Sequence, residues 1–149
     1  MPRTALHRLA IALLIGTLAC STNATRVSRI GTGDCCLDAG RRIAERFKVS
    51  AISSRRFTHT ELWAALDPVL QPGMLRVTEF GKSLQGRPLR ALTAGNGPTT
   101  VLLWSQMHGD ESTATMSLAD MMAWFNARTR ERDPLRELLT ERLTIVMVP

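Results

Sequence analysis

Two apolar runs in the second half of the chain constrain the fold more than any other feature. The first, Thr100–Met107, is almost continuously apolar and predicts a strand that is buried on both faces. The second, Leu143–Val148, predicts another strand, and the residues between the two runs have helical periodicity. Two such strands joined by a helical crossover are expected to be parallel neighbours. We therefore predict an α/β fold with a three-layer α/β/α arrangement and a mixed, centrally parallel sheet.

The remaining segments predict an antiparallel pair and four helices. Leu75–Phe80 and Leu89–Gly95 alternate apolar and polar residues around a glycine-bearing connection, which is typical of two antiparallel strands. Thr58 and Glu61 have the spacing of a capping box, and Asp133 precedes a proline as an N-cap does. The predicted helices are Leu37–Lys48, Thr58–Leu70, Ser112–Arg128 and a segment that begins after Asp133.

The N-terminus has the pattern of an export signal. Two arginines precede an apolar stretch, Leu9–Ala19, and the first 20 residues contain no acidic residue. Such a stretch suits a signal-peptide core and is short for a membrane span. We predict a signal peptide in residues 1–19 and, because residues 21–34 are small and polar, a linker and N-terminal extension in residues 20–56.

Cys20 directly follows a cleavage pattern with small residues, as in bacterial lipoprotein signals, and is therefore a candidate for lipidation. Cleavage after Ala24 is a second option. The predicted localisation is exported: periplasmic, extracellular or lipid-anchored. Contact with a membrane is expected only through a lipid on Cys20.

Composition narrows the classes of partner. The formal net charge is +6, but the basic residues are scattered and form no stripe interleaved with aromatic residues, so no nucleic-acid partner is expected. Hydrophobic residues make up 44% and charged residues 21%, which is a globular balance. The spacing of Cys20, Cys35 and Cys36 matches no zinc module, and we interpret these cysteines as structural or incidental.

A histidine and a glutamate follow the first apolar run with two residues between them. Imidazole nitrogen and carboxylate oxygen are both ligands of Zn²⁺, and a strand-to-helix turn can direct His108 and Glu111 to one point. The pair alone is a weak signal, because His108 can be an ordinary turn residue and Glu111 can simply favour the positive end of a helix. Its position at the end of a predicted strand favours a metal site, since ligands of α/β sheets bind at the carboxyl ends of the strands.

The stretch GKSLQGRPLRALTAG, followed by TTVLLWSQMHGDEST, resembles the start of the zinc carboxypeptidase family, the carboxypeptidase A-like metallopeptidases. In that family a glycine-serine-x-x-glycine-arginine turn precedes a strand, and a later strand ends in H-x-x-E. The matching positions here are Gly81, Ser83, Gly86, Arg87, His108 and Glu111. The resemblance extends over about Phe57–Pro149, and residues 57–149 are predicted to be the N-terminal part of such a catalytic domain.

The resemblance implies a zinc-dependent peptidase that hydrolyses peptide bonds of a peptide or protein substrate with a zinc-activated water. It assigns His108 and Glu111 as metal ligands. The family's third ligand, a histidine, its catalytic glutamate and its residues for the substrate's terminal carboxylate come later in the family's sequence, and neither His7 nor His59 occupies the histidine position. We therefore expect a truncated piece that is inactive by itself, with no catalytic residue assigned and its substrate-binding residues unknown. Asp110 stands where carboxypeptidase A has an arginine, so no substrate contact is assigned to it.

Two alternatives stay open at this point. Zinc-dependent amidohydrolases that deacylate N-acyl amino acids also use H-x-x-E at the end of a strand. A non-catalytic exported binding module is the other alternative, because a third zinc-binding histidine is missing. The GKSLQGRP turn favours the peptidase over the amidohydrolase.

The signal-peptide interpretation predicts where the mature chain begins. Mass spectrometry of the protein from its native host should find an N-terminus near Cys20 or Thr25, because cleavage follows the small residues after the apolar core. Recovery of cytoplasmic protein that still begins at Met1 would contradict export.

Overall fold

A computed structural model describes residues 33–71 and 73–149, so the signal peptide and Cys20 lie outside the described residues. The elements in chain order are α1 (Gly33–Arg46), α2 (His59–Leu66), β1 (Arg76–Lys82), β2 (Pro88–Ala94), β3 (Thr99–Trp104), α3 (Ser112–Asn126), α4 (Pro134–Arg142) and β4 (Leu143–Val148). Within the described ranges, no helix is both long and apolar enough to cross a membrane.

The four strands form one mixed sheet in the order β1-β2-β4-β3. The β1–β2 and β2–β4 pairs are antiparallel, whereas β3 and β4 are parallel, with Thr99 opposite Leu143 and Trp104 opposite Val148. The predictions of a mixed α/β class, an antiparallel hairpin and a parallel neighbour for the Leu143–Val148 strand are therefore confirmed. The parallel pair lies at one side of this sheet, and the three-layer arrangement remains a prediction.

The turn between β1 and β2 explains part of the GKSLQGRP motif in structural terms. The backbone N–H of Ser83 donates to the carbonyl of Arg87, and the N–H of Arg87 donates to the Ser83 hydroxyl at 3.1 Å. Gly86 has a φ of +74°, in the left-handed region that glycine adopts without steric cost. Ser83 and Gly86 thus close the hairpin that sets the register of the first two strands.

The hydrophobic core lies between the helices and one face of the sheet. Leu92 and Ala94 of β2 and Ile145 and Met147 of β4 are at most 4% exposed. The helices contribute buried side chains to the same cluster, among them Leu62, Leu66, Leu118, Ala119, Met122 and Phe125. Burial of this size is the main source of stability, at roughly 1.5–3 kcal/mol for each large side chain.

The prediction that Thr100–Met107 is a strand buried on both faces is wrong in two respects. The strand ends at Trp104, three residues before Met107. Leu103 packs against the core, but Leu102 and Trp104 are 52% and 55% exposed. The reason is that β3 is an edge strand of the described sheet and packs against described helices on one face only. A continuous apolar run does not reveal how many of its faces are covered.

A buried arginine joins the end of α3 to the start of α4. The Arg136 guanidinium donates to the carbonyls of Trp124 at 2.9 Å and Ala127 at 2.8 Å, at the C-terminus of α3, where the helix dipole is negative. Asp133, the N-cap of α4, accepts from the Arg136 backbone N–H at 3.1 Å and from the Trp124 indole N–H at 2.7 Å. The capping prediction for Asp133 is confirmed, and these bonds fix the crossover that precedes β4.

Replacing Arg136 with methionine should lower the free energy of unfolding by about 2–4 kcal/mol, because the carbonyls of Trp124 and Ala127 then lose their charged donor. Urea unfolding followed by circular dichroism measures this loss. The control is Arg130→Met, which removes an exposed arginine and should change stability by less than about 0.5 kcal/mol. Equal effects of the two substitutions would contradict the role of Arg136.

Candidate metal centre and adjoining cleft

The turn after β3 is fixed to both β4 and α3 at its first residue. The Ser105 N–H donates to the Val148 carbonyl at 3.1 Å and so continues the parallel pairing past Trp104. The Ser105 hydroxyl lies 2.7 Å from the hydroxyl of Thr115, which is fully buried in α3. These two bonds set where the chain leaves the sheet and where α3 begins.

Two residues of this turn have left-handed backbone conformations. Gly109 has a φ of +83°, which glycine adopts readily. Gln106 has a φ of +60°, which is uncommon for a residue with a side chain. The Gly109 N–H donates to the Gln106 carbonyl at 3.1 Å and closes the turn that carries His108. Gln106 also has a buried side-chain oxygen, Oε1, that accepts no hydrogen bond from the described residues.

The side chains of His108 and Glu111 converge at the carboxyl end of β3. His108 Nδ1 lies 2.9 Å from Glu111 Oε1, so the prediction that the two side chains face a common point is confirmed. Their exposed fractions are 72% and 48%, which leaves both groups accessible to an ion from solvent. The arrangement provides one nitrogen and one oxygen donor on a short, closed turn.

Glu111 occupies the N-cap position of α3 but makes no capping hydrogen bond with its side chain. Ser112 and Thr113 lie inside α3, after its N-cap. The Glu111 carboxylate contacts His108 instead, and the long glutamate side chain reaches away from the helix end. The first-turn N–H groups of α3 are therefore left without a side-chain cap from Glu111.

A third metal ligand does not join the pair within the part of the chain that the structure describes. Residues 33–71 and 73–149 contain no group of three or more His, Cys, Asp or Glu side chains placed to hold a metal ion. His59 lies on α2, with its Nε2 atom 3.1 Å from the Trp63 indole nitrogen and 3.2 Å from the Pro88 carbonyl oxygen. Its imidazole is thus part of the contact between α2 and β2.

An open cleft of about 670 Å³ lies beside the pair. One wall comes from the segment before α2 and its first turn, and the other comes from the β3–α3 turn and the start of α3. Its lining residues are Arg55, Arg56, Phe57, Thr58, Glu61, Gln106, Gly109, Asp110, Ser112 and Thr113. The cleft could not be predicted from the sequence, because nothing local indicates that Arg55 and Arg56 lie across from a turn about fifty residues later.

Glu61 is held in place on the cleft wall by the cap of α2. Its carboxylate accepts from the Thr58 backbone N–H at 2.6 Å and from the Thr58 hydroxyl at 2.9 Å, which confirms the predicted capping box. The backbone hydrogen bond, and after it the hydroxyl bond, lowers the pKa of Glu61 below its ordinary value, because both stabilise the ionised form. The Glu61 carboxylate is therefore already engaged in the cap of α2.

The chain was compared with protein-family models, with curated proteins and with solved structures, and none of the three comparisons gave a match. The resemblance to zinc carboxypeptidases accordingly remains a prediction from the sequence motifs.

Replacing Gln106 with glycine should raise the free energy of unfolding by about 1 kcal/mol. Glycine adopts a positive φ without steric cost, and the substitution removes a buried oxygen without a donor; these gains exceed the added entropy of the unfolded chain. Urea unfolding measures the change, with Gln85→Gly as the control.

Gln85 is exposed and does not have a positive φ, so its replacement by glycine should leave stability unchanged or slightly lower. A loss of stability in Gln106→Gly as large as in Gln85→Gly would show that the Gln106 backbone is not strained.

Proposed function

We propose that residues 57–149 are the N-terminal part of the catalytic domain of a zinc-dependent peptidase similar to the zinc carboxypeptidases. His108 and Glu111 are two of its metal ligands, and the substrate is a peptide or protein. One observation carries the proposal: the two side chains lie 2.9 Å apart at the carboxyl end of a parallel strand, on the residues that the motif assigns. The parallel pairing of β3 with β4 and the open cleft beside the two side chains support it.

The pair fits zinc in donor type, in separation and in accessibility. Two ligands of one tetrahedral zinc ion, bonded at about 2.1 Å each, stand about 3.4 Å apart. The 2.9 Å between His108 Nδ1 and Glu111 Oε1 is close to that value, so a small side-chain rotation is enough. Metal binding needs a neutral imidazole. The ring proton must then be on Nε2, so that the Nδ1 lone pair is free to bind the ion.

Each side chain has a distinct part in the proposed chemistry. When bound, zinc would supply Lewis-acid polarisation of the scissile carbonyl and would lower the pKa of water at the site. Glu111 contributes a negative charge and holds one side of the site from the start of α3, while His108 contributes a neutral donor from the turn. The hydrogen bonds of Ser105 to Val148 and Thr115 fix the start of the turn that carries both groups.

Two ligands do not complete a catalytic zinc site, which normally has three protein ligands. The resemblance implies a further histidine ligand and a catalytic glutamate, and the described residues contain no group of three or more His, Cys, Asp or Glu side chains placed to hold a metal ion. We therefore expect this 149-residue chain to bind zinc weakly and to hydrolyse no peptide.

Zinc affinity tests the assignment of the two ligands. In a competition titration with a fluorescent chelator, His108→Ala and Glu111→Gln should each weaken zinc binding by about tenfold or more, because each removes one of two donors. Glu45→Gln, which neutralises an exposed carboxylate on α1, is the matched control and should keep the affinity. Equal zinc binding by all of these chains would contradict a site at the pair.

The coding sequence after Pro149 distinguishes the peptidase from the alternatives. An open frame that encodes Asn-Pro-Asp-Gly and a later histidine supports the family, and the product of that frame should then hydrolyse a carboxyl-terminal reporter peptide. Hydrolysis of N-acyl amino acids instead of peptides would favour the amidohydrolase. A product that is inactive and free of zinc would favour the binding module.

A further inference from the structure

The cleft beside His108 and Glu111 has two arginines at adjacent positions on one wall. Arg55 and Arg56 precede α2 and are exposed, and neither guanidinium has an ion-pair partner within residues 33–71 and 73–149. The acid that this wall contributes to the lining is Glu61, whose carboxylate is already bonded to Thr58. The wall therefore presents two cationic groups with free donors to whatever occupies the cleft.

The opposite wall brings the N-terminus of α3 and one acidic residue, Asp110, to the cleft. Ser112 and Thr113 belong to the first turn of α3, where backbone N–H groups have no intrahelical acceptor and the helix dipole is positive. Asp110 is the one acidic residue that this wall adds to the lining. A zinc ion held by His108 and Glu111 would add more positive charge beside the cleft than Glu111 removes.

We propose that this cleft is a substrate subsite that selects acidic side chains of the peptide, through Arg55 and Arg56. The inference rests on the proposed peptidase function, because it assigns the cleft to the same substrate that the metal site binds. Guanidinium groups bind carboxylates through paired, charge-assisted hydrogen bonds, which neutral amide side chains do not form. A peptide with glutamate in this subsite should therefore be preferred over the same peptide with glutamine.

Fluorescence anisotropy with the zinc-loaded full chain tests the preference. The probes are three labelled peptides of one sequence: a C-terminally amidated form with two glutamates, an amidated form with two glutamines, and the glutamine form with a free C-terminal carboxylate. The glutamate peptide should bind about tenfold more tightly than the amidated glutamine peptide, as expected for hydrogen bonds to a charged group. The free-carboxylate peptide should bind like the amidated glutamine peptide.

Two double variants distinguish an effect of the cleft arginines from an effect of the protein's overall positive charge. Arg55→Gln with Arg56→Gln should abolish the preference for the glutamate peptide. Arg128→Gln with Arg130→Gln removes the same charge from exposed positions beyond the far end of α3, about 20 Å away along the helix, and should retain the preference. Circular dichroism of both double variants, and the two single variants at Arg55 and Arg56, exclude loss of fold as the cause.

Three results would overturn the inference. These are equal binding of the glutamate and amidated glutamine peptides, equal loss of preference in both double variants, and binding of the free-carboxylate peptide as tight as that of the glutamate peptide. Zinc affinity, measured in parallel, reports separately on the proposed function. If the unmodified chain binds zinc but shows no preference for the glutamate peptide, the subsite alone is refuted. If the unmodified chain does not bind zinc, the proposed function is refuted.

Discussion

The hydrogen bonds of Ser105 determine where the candidate site lies. Its N–H bonds to Val148 at the end of β4, and its hydroxyl bonds to the buried hydroxyl of Thr115 in α3. Three elements are thereby joined at the carboxyl ends of the two parallel strands. The turn that follows has only a few residues in which to reverse direction and begin α3, which explains the positive φ angles of Gln106 and Gly109. His108 and Glu111 converge because that turn is short and closed.

Features that depend on neighbours in the sequence could be predicted. The capping box of Thr58 and Glu61 and the N-cap at Asp133 are contacts over three residues, so residue identity and spacing determine them. The antiparallel hairpin follows from alternation around a short turn. The convergence of His108 and Glu111 could be predicted for the same reason, because three residues on a tight turn leave few directions for the two side chains.

Features that depend on distant residues could not be predicted. Nothing in the local sequence indicates that β2 pairs with β4, or that Arg136 inserts its guanidinium among the last carbonyls of α3. The exposure of Leu102 depends on which elements pack on β3, and an apolar run in the sequence does not indicate which elements those are. The cleft was missed because its walls come from segments far apart in the chain, and because arginine before a helix is an ordinary surface residue.

We propose that His108 and Glu111 bind one zinc ion together. Long-range ¹H–¹⁵N spectra of the histidine rings during a zinc titration test it most directly, because they report each imidazole nitrogen separately. We expect that zinc shifts the Nδ1 resonance of His108, that the shift is lost in Glu111→Gln, and that the ring of His59 on α2 is unaffected. Zinc-dependent shifts at His59 with none at His108 would contradict it.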